Sequence, residues 1–438
     1  MEFKQYPSYK KSGVEWLGDV PEHWQIVRTK DIFNHRKEEA LEDDEIVTAF
    51  RDGQVTLRKN RRTDGFTNSI KEHGYQHINN GDLVIHEMDA FAGAIGVSDS
   101  SGKSTPVYTV CYAKNENINH HFYSHFFRTM AKTGFINSLA KGIRVRSTEF
   151  RWNESRNVYL AEPPKADQEK IVSFLDTETA RIDNLIAKQE KLIELLEEQR
   201  KSIISHAVTK GLNPNAPMKD SGVEWLGDVP EHWMTPSSKH LLEIPITDGP
   251  HETPNFVDDG VPFISAEAIS KGKIDFDKKR GYITPELNAI YSKKYSPKIE
   301  DIYMVKSGAT TGKVAMVETT EEFNIWSPLA VFRCNKNKVL PKFLLAVFNS
   351  SHFYDALVLN WSYGTQQNIG MGVLSNIEIP CPPLKEQAEI IQHLDAQNTK
   401  FDKLISTQSQ LIEKLKEYRS SIISHAVTGK IDVREFGA

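Results

Sequence analysis

The sequence has no long apolar run, few cysteines and no basic leader, and each absence excludes a class of protein. No stretch approaches the roughly 18 apolar residues of a membrane-spanning helix, and the opening Met-Glu-Phe-Lys-Gln lacks the basic and then apolar pattern of a signal peptide. We therefore expect a cytoplasmic protein. Cys111, Cys334 and Cys381 lie far apart without Cys-x-x-Cys or Cys/His spacing, so the sequence predicts neither a disulfide framework nor a zinc site.

The sequence also lacks a strong charge of either sign. A net charge of −5 over 438 residues gives no bulk indication of nucleic-acid binding, so contacts with phosphates would have to come from local clusters. With 39% hydrophobic and 26% charged residues, the chain has an ordinary globular composition. Its length allows roughly two to four domains with real cores. Composition alone leaves the function open.

What the chain does contain is a tandem duplication. Residues 12–24 and 221–233, called here the entry segments, both read Ser-Gly-Val-Glu-Trp-Leu-Gly-Asp-Val-Pro-Glu-His-Trp. A second string, Ser-Ile-Ile-Ser-His-Ala-Val-Thr, occurs at 202–209 and 421–428. The offsets, 221 − 12 = 209 and 421 − 202 = 219, differ by 10 residues. Repetition on this scale indicates two copies of one structural unit.

Each copy divides into an entry segment, a long middle and a helical end, and we predict an α+β protein built on this plan. The middles, called modules 1 and 2, contain short β-like runs at 82–85 and 301–305 among turns rich in Gly, Asn and Asp. Both modules are predicted to be mixed α/β, although they share no sustained identity. The predicted boundaries are 1–24, 25–162 (module 1), 163–215 (helical), 216–233, 234–381 (module 2) and 382–438 (helical with a tail).

The helical ends carry a seven-residue repeat of apolar residues. Neither 168–207 nor 387–426 contains proline or glycine. In the first copy one column comprises Leu175, Ile182, Gln189, Leu196 and Ile203, with a companion column of Leu185 and Leu192 three residues on; in the second copy the columns are Leu394, Phe401, Gln408, Leu415 and Ile422, with Leu404 and Leu411. This pattern predicts a coiled-coil seam, with the matched glutamines fixing its register.

Additional apolar residues, Ile186, Ile193, Ile405 and Ile412, widen the stripe and suit helices that also pack on other elements. The natural partner of each helix is its counterpart in the other copy. At ~1.5 Å per residue, roughly 40 residues form a rod of about 60 Å. An antiparallel pair would relate the modules by a pseudo-twofold axis. One hypothesis is that the helices hold two domains together; a sharper one is that they set the distance between two binding modules.

A search for catalytic or metal-binding motifs finds none. Residues 308–313 are similar to a phosphate loop, but the glycine spacing is one residue short and Val314 replaces the magnesium-binding Ser or Thr. His251 begins a string similar to a zinc-protease helix, yet the second His is missing and Pro254 would disrupt the helix. No Asn/Asp-Pro-Pro-aromatic string of an amino-methyltransferase is present. The sequence therefore predicts no catalytic residue and no metal site in this chain.

The repeated aromatic and histidine residues favour structural roles. Trp16, Trp24, Trp225 and Trp233 could stack on bases, but tryptophans repeated within a duplicated entry segment more often pack against helices. His206 and His425 occupy one register near the ends of the two long helices. A matched role at a helix C-terminus or in a partner contact is favoured over catalysis there.

Together, the entry segments, the Pro-Pro-x-x-x-Gln strings at 163–168 and 382–387 and the long helices resemble the specificity subunit of Type I restriction-modification enzymes. The resemblance covers essentially the whole chain. Its strength lies in the order, the duplication and the spacing of these motifs rather than in any single string.

Module 2 adds strings that are similar to the layout of a target recognition domain. They are Thr-Asp-Gly-Pro-His-Glu-Thr-Pro at 247–254, Gly-Val-Pro-Phe-Ile-Ser at 260–265, Lys-Ser-Gly-Ala-Thr-Thr-Gly-Lys at 306–313 and Ser-Tyr-Gly-Thr-Gln-Gln-Asn at 362–368. Module 1 lacks the Asp-Gly-x-His-x-Thr-Pro and Ser-Gly-Ala-Thr-Thr-Gly strings. It carries Gly-Tyr-Gln-His at 74–77, Gly-Asp-Leu-Val at 81–84 and Gly-Ile-Arg-Val-Arg at 142–146, which resemble another class of recognition domain.

The resemblance implies a non-catalytic DNA reader. Its two target recognition domains, at 25–162 and 234–381, would each bind one half of a bipartite, asymmetric site in double-stranded DNA. The helices would set the unread spacer and dock two modification (methyltransferase) subunits. Those partners would hold S-adenosylmethionine and methylate adenine, while restriction (motor and nuclease) subunits would hydrolyse ATP with magnesium and cut; this chain would bind no cofactor. Two alternatives are a stand-alone DNA-modifying enzyme and a coiled-coil scaffold that reads no DNA.

DNA contacts are predicted from residue type and local clustering alone. Arg pairs with guanine and Gln or Asn with adenine, whereas Lys and Ser/Thr more often bind phosphates. The predicted set is Arg58, Lys59, Arg61, Arg62, Lys141, Arg144, Arg146 and Arg151 in module 1, with Lys278, Lys279, Arg280, Tyr282, Lys306, Ser307, Thr310, Thr311, Lys313, Thr365, Gln366, Gln367 and Asn368 in module 2. The alternative for each charged cluster is a solvated turn.

Overall fold

The structure, a computed structural model, describes residues 3–61, 73–139, 150–270, 272–360, 367–437 and the backbone of 362–363. The chain forms two compact units. Unit 1 comprises Met1–Gln189 with Gln410–Ala438, and unit 2 comprises Glu190–Ser409. Each unit therefore contains one module and one part of each long helix.

The elements before the first long helix belong to unit 1. Its strands are β1 (Tyr9–Lys11), β2 (Asp19–Pro21), β3 (Gln25–Arg28), β4 (Phe33–His35), β5 (Val47–Ala49), β6 (Val55–Leu57), β7 (Gln76–Ile78), β8 (Leu83–His86), β9 (Ile95–Val97), β10 (Gly102–Ser104), β11 (Tyr108–Ala113) and β12 (Tyr159–Glu162). Its helices are α1 (Thr29–Ile32), α2 (His120–Lys132), α3 (Phe135–Ser138) and α4 (Trp152–Ser155). The first long helix, α5 (Lys165–Lys210), follows directly.

The elements between the long helices belong to unit 2. Its strands are β13 (Met218–Asp220), β14 (Asp228–Pro230), β15 (Thr247–Asp248), β16 (Val261–Ile264), β17 (Ile269–Ser270), β18 (Lys273–Ile274), β19 (Gly281–Ile283), β20 (Ile302–Val305), β21 (Val314–Met316), β22 (Asn324–Ile325), β23 (Leu329–Phe332), β24 (Ser362–Tyr363) and β25 (Gln367–Asn368). Its helices are α6 (Pro285–Tyr291), α7 (Pro341–Phe348), α8 (Ser351–Leu359) and α9 (Met371–Asn376), and the second long helix is α10 (Leu384–Val427).

Each module contains its own four-stranded antiparallel sheet, and the two sheets have the same topology although the module sequences have diverged. The strand order is β4-β11-β8-β9 in module 1 and β15-β23-β20-β21 in module 2. The runs predicted at 82–85 and 301–305 become the inner strands β8 and β20, so both strand predictions are confirmed. The α+β prediction is confirmed as well.

A buried aspartate precedes each of these inner strands and accepts a bidentate arginine. Asp82 accepts bonds of 2.7 and 3.0 Å from Arg36, which follows β4. Asp301 accepts bonds of 2.8 and 2.7 Å from Arg333, which follows β23. β4 and β23 occupy different places in the shared strand order. The modules therefore preserve the same carboxylate position with donors from different strands.

The long helices run antiparallel within each unit. In unit 1, Asp183 of α5 pairs with Arg419 of α10 at 2.8 and 3.0 Å. In unit 2, Arg200 of α5 pairs with Asp402 of α10 at 2.6 Å. Because the α5 residue number rises while the α10 number falls, the predicted antiparallel pairing is confirmed. The two ion pairs define a register in which the paired residue numbers sum to 602.

The main column of the predicted seam faces inward, but the companion column does not. Leu175, Ile182, Leu394, Phe401 and Ile422 are buried, and Gln189, Leu196, Ile203, Gln408 and Leu415 are half-buried. Leu185 is half-buried, whereas Leu192, Leu404 and Leu411 are 39%, 46% and 39% exposed. The prediction that these three leucines lie in the seam is therefore wrong.

The residues four positions on from the main column take that place instead. Ile412 is buried, and Ile186, Ile193 and Ile405 are half-buried. A heptad alternates steps of three and four residues, so the main column is compatible with a companion on either side. Isoleucines fill the four-residue step in both copies. The leucines at the three-residue step are left on the flank.

The entry segments pack against the ends of the long helices. Trp24 and Trp233 are fully buried, and each indole N–H donates to a carboxylate in the first turn of a long helix: Asp167 at 3.4 Å and Glu386 at 3.1 Å. Trp16 and Trp225 are half-buried and contact aromatic rings of their own units. The prediction that all four tryptophans pack is confirmed.

Each entry segment contacts the helix end of the other sequence copy. Trp24 shares a core with Ala426 at the end of α10, whereas Trp233 shares one with Ala207 near the end of α5. Residues near both ends of the described chain also meet in unit 1, where Lys4 and Glu435 form an ion pair at 2.7 Å. Each unit is thus completed by parts of both sequence copies.

Candidate nucleic-acid interface

Two of the predicted polar strings of module 2 meet in the folded unit. Ser307 and Asn368 form an isolated antiparallel bridge, and the Gly308 N–H donates to the carbonyl of Gln367 at 3.1 Å. The side chains of Gln367 and Asn368 are exposed. Two segments about 61 residues apart in sequence therefore meet, and the exposed amide groups of Gln367 and Asn368 lie beside Ser307.

A buried carboxylate positions the first of these strings. Asp248 accepts a hydrogen bond from the Lys294 ammonium at 2.6 Å and lies 3.3 Å from the Lys306 ammonium. Burial alone would raise the pKa of Asp248, but the two ammonium groups outweigh it and lower that pKa. The Lys306 side chain is only 12% exposed, so its ammonium group interacts mainly with Asp248. We interpret Lys306 as a residue that positions the loop.

The remaining side chains of this string differ in accessibility. Lys313 is exposed, and Ser307 and Thr310 are half-buried. Thr311 is 4% exposed, and its hydroxyl donates to the carbonyl of Gly308 at 2.7 Å. The prediction that Thr311 contacts DNA is therefore wrong, because its polar group closes the turn from inside.

The predicted cluster at 278–282 lies on the surface of module 2. Lys278 and Arg280 each pair with an acidic neighbour, at 2.8 and 3.2 Å. Lys279 lies 4.9 Å from the ring centre of Tyr282, and the Arg280 guanidinium lies 5.7 Å from the ring centre of Trp326. These cation–π contacts hold the half-buried Lys279 and the exposed Arg280 over aromatic faces. The arrangement retains donors that can reach a phosphate or a base edge.

The described candidates of module 1 are already engaged within the module. Arg61 pairs with Asp52 at 2.7 Å, and the Lys59 ammonium pairs with a carboxylate of the same module. The Arg58 Nε donates to a threonine hydroxyl at 3.2 Å. Arg151 lies 3.7 Å from a glutamate oxygen. DNA contact by these side chains would require them to exchange or share their present partners.

Six predicted contacts lie outside the described residues: Arg62, Lys141, Arg144, Arg146, Thr365 and Gln366. The sequence-based prediction stays a prediction for these six residues, as it does for the described candidates other than Thr311.

Sequence reasoning missed a basic face on α2. His125, Arg128 and Lys132 follow one another at spacings of three and four residues, and Arg419 of α10 lies beside them in unit 1. The spacing is a helical signal that could have been found. The contribution of Arg419, almost 300 residues away in sequence, could not.

The other titratable groups indicate structural rather than chemical roles. Cys111, Cys334 and Cys381 are free and buried. Burial raises the pKa of each thiol, which keeps it protonated at neutral pH. Within the described ranges, no group of three or more His, Cys, Asp or Glu side chains could hold a metal ion. Nor does any helix in that part of the chain combine the length and apolarity needed to cross a membrane.

The family model described as the Type I restriction modification DNA specificity domain matches the chain twice, at residues 21–195 and 230–417. The matches cover well over half of the sequence and fall once in each copy of the duplication. The chain therefore belongs to the family of Type I restriction-modification specificity subunits, and its two modules are DNA target recognition domains.

Individual specificity subunits are similar to this chain along nearly its full length and theirs. The chain is 24% identical over 433 residues to the Type I restriction enzyme MjaVIII specificity subunit of Methanocaldococcus jannaschii, covering 95% of this chain and 94% of the relative. It is 22% identical over 440 residues to the EcoKI specificity subunit of Escherichia coli, covering 94% and 90%.

Solved structures support the same fold. A chain from the structure described as the "structural basis underlying complex assembly and conformational transition of the type I R-M system" superimposes with a TM-score of 0.65 at 16% identity, covering 93% of this chain and 98% of that one. The HsdS subunit from Thermoanaerobacter tengcongensis gives a TM-score of 0.52 at 17% identity, covering 94% and 98%. At these identities the likeness establishes the fold alone.

Proposed function

We propose that this chain directs a Type I restriction-modification complex to one bipartite, asymmetric sequence in double-stranded DNA. Module 1 reads one half of the site and module 2 the other. The chain carries out no catalysis itself. The observation that supports this proposal most directly is that two modules with the same sheet order carry unlike polar loops inside a duplicated arrangement of entry segments and helices.

The unlike loops account for the asymmetry of the proposed site. Module 2 presents the exposed side chains of Gln367 and Asn368, both of a type suited to bidentate contacts with adenine. Module 1 offers mainly arginines and lysines among its candidate contacts, which suit guanine and phosphates. Two modules with different donors and acceptors favour two different half-sites.

The repeated parts account for the spacer and the partners. α5 and α10 pair in an antiparallel register within each unit, so their lengths would set the number of unread base pairs between the half-sites. The duplicated entry segments and helix ends supply two equivalent surfaces, which would dock two modification subunits. His206 and His425, both exposed, lie on these helix ends and are candidates for partner contact.

The chemistry would belong to the partner subunits. The modification subunits would hold S-adenosylmethionine and methylate adenine in each half-site. Restriction subunits, where the cell provides them, would use ATP and magnesium to move along DNA and cut it. We propose that the complex acts in the cytoplasm, where the chromosomal DNA is accessible.

The decisive experiment is methylome sequencing of cells that express this chain together with its modification partner. The proposal predicts one split motif with a methylated adenine in each half and a fixed spacer. Two unlinked motifs, or no new methylation, would contradict it. Cells that express the modification subunit alone are the matched control and should lack the motif.

The two alternatives predict different outcomes. A stand-alone enzyme would bind S-adenosylmethionine or cleave DNA as the purified chain. A scaffold that reads no DNA would assemble with modification subunits without conferring binding to any specific duplex. Calorimetric titration with S-adenosylmethionine and a binding assay with the assembled complex separate these outcomes.

A further inference from the structure

Helix α2 of unit 1 presents three basic side chains along one face. His125, Arg128 and Lys132 are separated by three and four residues, which places them on the same side of a helix. The second long helix borders this face, because the Lys132 ammonium donates to the Ser420 hydroxyl at 3.4 Å. Arg419 is the adjacent residue of α10. We call His125, Arg128, Lys132 and Arg419 the α2 basic face.

Two of the charges on this face lack a carboxylate partner. Arg128 forms no ion pair with any residue that the structure describes, and its Nε is buried without a hydrogen-bond partner there. Asp52, the acid that acts electrostatically on Arg128, is itself paired with Arg61 at 2.7 Å. Lys132 bonds only to a neutral hydroxyl among the described residues. Arginine and lysine side chains placed in this way retain donors for an anion.

The third charge is only partly compensated. Arg419 pairs with Asp183 across the two long helices, yet it still acts on the two cations of α2. Burial lowers the pKa of Arg128 and of Lys132, and repulsion from Arg419 lowers both further. Burial and these neighbours lower the pKa of His125 to about 3, so this imidazole is neutral at physiological pH. Burial and mutual repulsion thus disfavour the charged forms of these side chains, and a bound anion would offset that repulsion.

The helix that occupies the same place in unit 2 can be identified from the hydrogen bonds at its start. The Asn119 N–H, just before α2, donates to Gln168 Oε1 at 2.9 Å. The Leu340 N–H, just before α7, donates to Gln387 Oε1 at 2.8 Å. Gln168 and Gln387 are the matched glutamines of the Pro-Pro-x-x-x-Gln strings. Helices α2 and α7 are therefore counterparts, offset by 221 residues.

The basic residues of α2 have no match at the aligned positions of this counterpart. The offset of 221 places Ala346 opposite His125 and Asn349 opposite Arg128. Arg200 of α5 holds in unit 2 the position that Arg419 holds in unit 1, and it pairs with Asp402 at 2.6 Å. Unit 2 therefore keeps the arginine of the long helix but has no cation at the positions of His125 and Arg128. A feature confined to one module points to what that module binds.

We propose that Arg128, Lys132 and Arg419 bind a backbone phosphate of the DNA beside the half-site that module 1 reads. This inference rests on the proposed function. Guanidinium and ammonium groups donate charge-assisted hydrogen bonds to phosphate oxygens, which positions the duplex without reading its sequence. Module 1 thus binds the DNA backbone at a position where module 2 does not. The two half-sites therefore contribute unequally to the salt dependence of binding.

The test compares Lys132→Gln, Arg128→Gln and the double variant in the full chain assembled with its modification subunits. Lys342→Gln is the matched control, since Lys342 is an exposed lysine on the counterpart helix α7. Fluorescence anisotropy measures binding to a duplex with the methylome-derived site and to one without it, across a range of salt concentrations.

Each phosphate contact that is lost should reduce the slope of log affinity against log salt by about 0.9. Because the three side chains bind one phosphate, we expect the slope to fall by up to about 0.9 in the double variant and by less in each single variant, on both duplexes, with the methylated motif unchanged. Arg128→Lys keeps the charge and should retain most of the slope. Lys342→Gln should leave the slope as in the wild type.

A double variant with the wild-type slope would overturn the inference, and so would an altered motif. Arg128 also packs close to the turn at Gly53, so a purely structural role would lower the melting temperature of Arg128→Gln and leave the slope of the exposed Lys132→Gln unchanged. That result also refutes phosphate binding. Failure of the proposed function is distinguishable, because the wild-type complex would then show no split motif and no preference between the duplexes.

Discussion

If the paired long helices set the spacer, lengthening both of them should lengthen the unread gap and nothing else. The point halfway between the two ion pairs of the long helices lies between residues 191 and 192 of α5 and between residues 410 and 411 of α10. A second copy of 185–191 inserted after Lys191, with a second copy of 404–410 after Gln410, adds one heptad to each helix. The pairs on either side of the insertion keep their partners.

The expected magnitude follows from helix geometry. Seven residues at ~1.5 Å add about 10.5 Å to each helix. One base pair rises about 3.4 Å, so the spacer should grow by about three base pairs. Seven residues turn the helix by about 20° less than two full turns, so the orientation of each module changes little. The seam keeps its seven-residue period.

Methylome sequencing of cells with the lengthened chain reads the result directly. The expected motif has both original half-sites and a spacer about three base pairs longer. A chain with the insertion in α5 alone is the control, because it breaks the pairing register and should methylate poorly. An unchanged spacer, or altered half-sites, would show that the helices do not set the length of the spacer.

Three further outcomes test other parts of the structure. Trp24→Ala and Trp233→Ala should each lower the free energy of unfolding by about 3–5 kcal/mol, measured by urea denaturation; a loss below about 1 kcal/mol would contradict their core roles. Asp248→Asn leaves Lys306 without its partner and should reduce methylation at one half-site only. Because the folded pKa of Asp248 lies below its ordinary 3.8, the wild type should lose this ion pair's stabilisation as pH falls from 3.8 through the folded value, and the variant should show no such step in thermal unfolding. Replacing 234–381 with the module of a related protein should change one half-site and leave the other, again by methylome; a change in both would mean that the modules are not independent.

Much of the fold could be predicted because it depends on repetition and periodicity. The duplicated entry segments and the uninterrupted heptads predicted two long paired helices, and both helices formed. The short β-like runs before 86 and 306 became inner strands because their residues are apolar and bordered by turns. These are local signals that do not depend on which distant segments meet.

The companion column of the seam could not be settled from periodicity. Leu192 and Leu411 fit a heptad as well as Ile193 and Ile412 do, since the repeat permits a step of three or four. The burial of Ile412 and the exposure of Leu411 depend on the rotation of each helix about its axis. That rotation is fixed by packing against the modules and the other helix, which a single-helix pattern does not contain.

The candidate interface was predictable by composition but not by arrangement. Polar strings at 306–313 and 362–368 were both identified, yet their bridge through Ser307 and Asn368 is a tertiary contact. Thr311 was misassigned because a hydroxyl in a polar string gives no indication of whether it faces inward. Asp248 was overlooked because its role comes from two lysines, one of them 46 residues away.

The sequence by itself determined that this is a duplicated chain with two unlike modules and two long helices, because repeats and heptads are written in consecutive residues. Only the tertiary structure decided that the modules share one sheet order, that each entry segment completes the helix end of the other copy and that α2 and Arg419 form one basic face. Those features arise from contacts between segments tens to hundreds of residues apart. Their formation depends on which surfaces are buried together, and no local pattern encodes that choice.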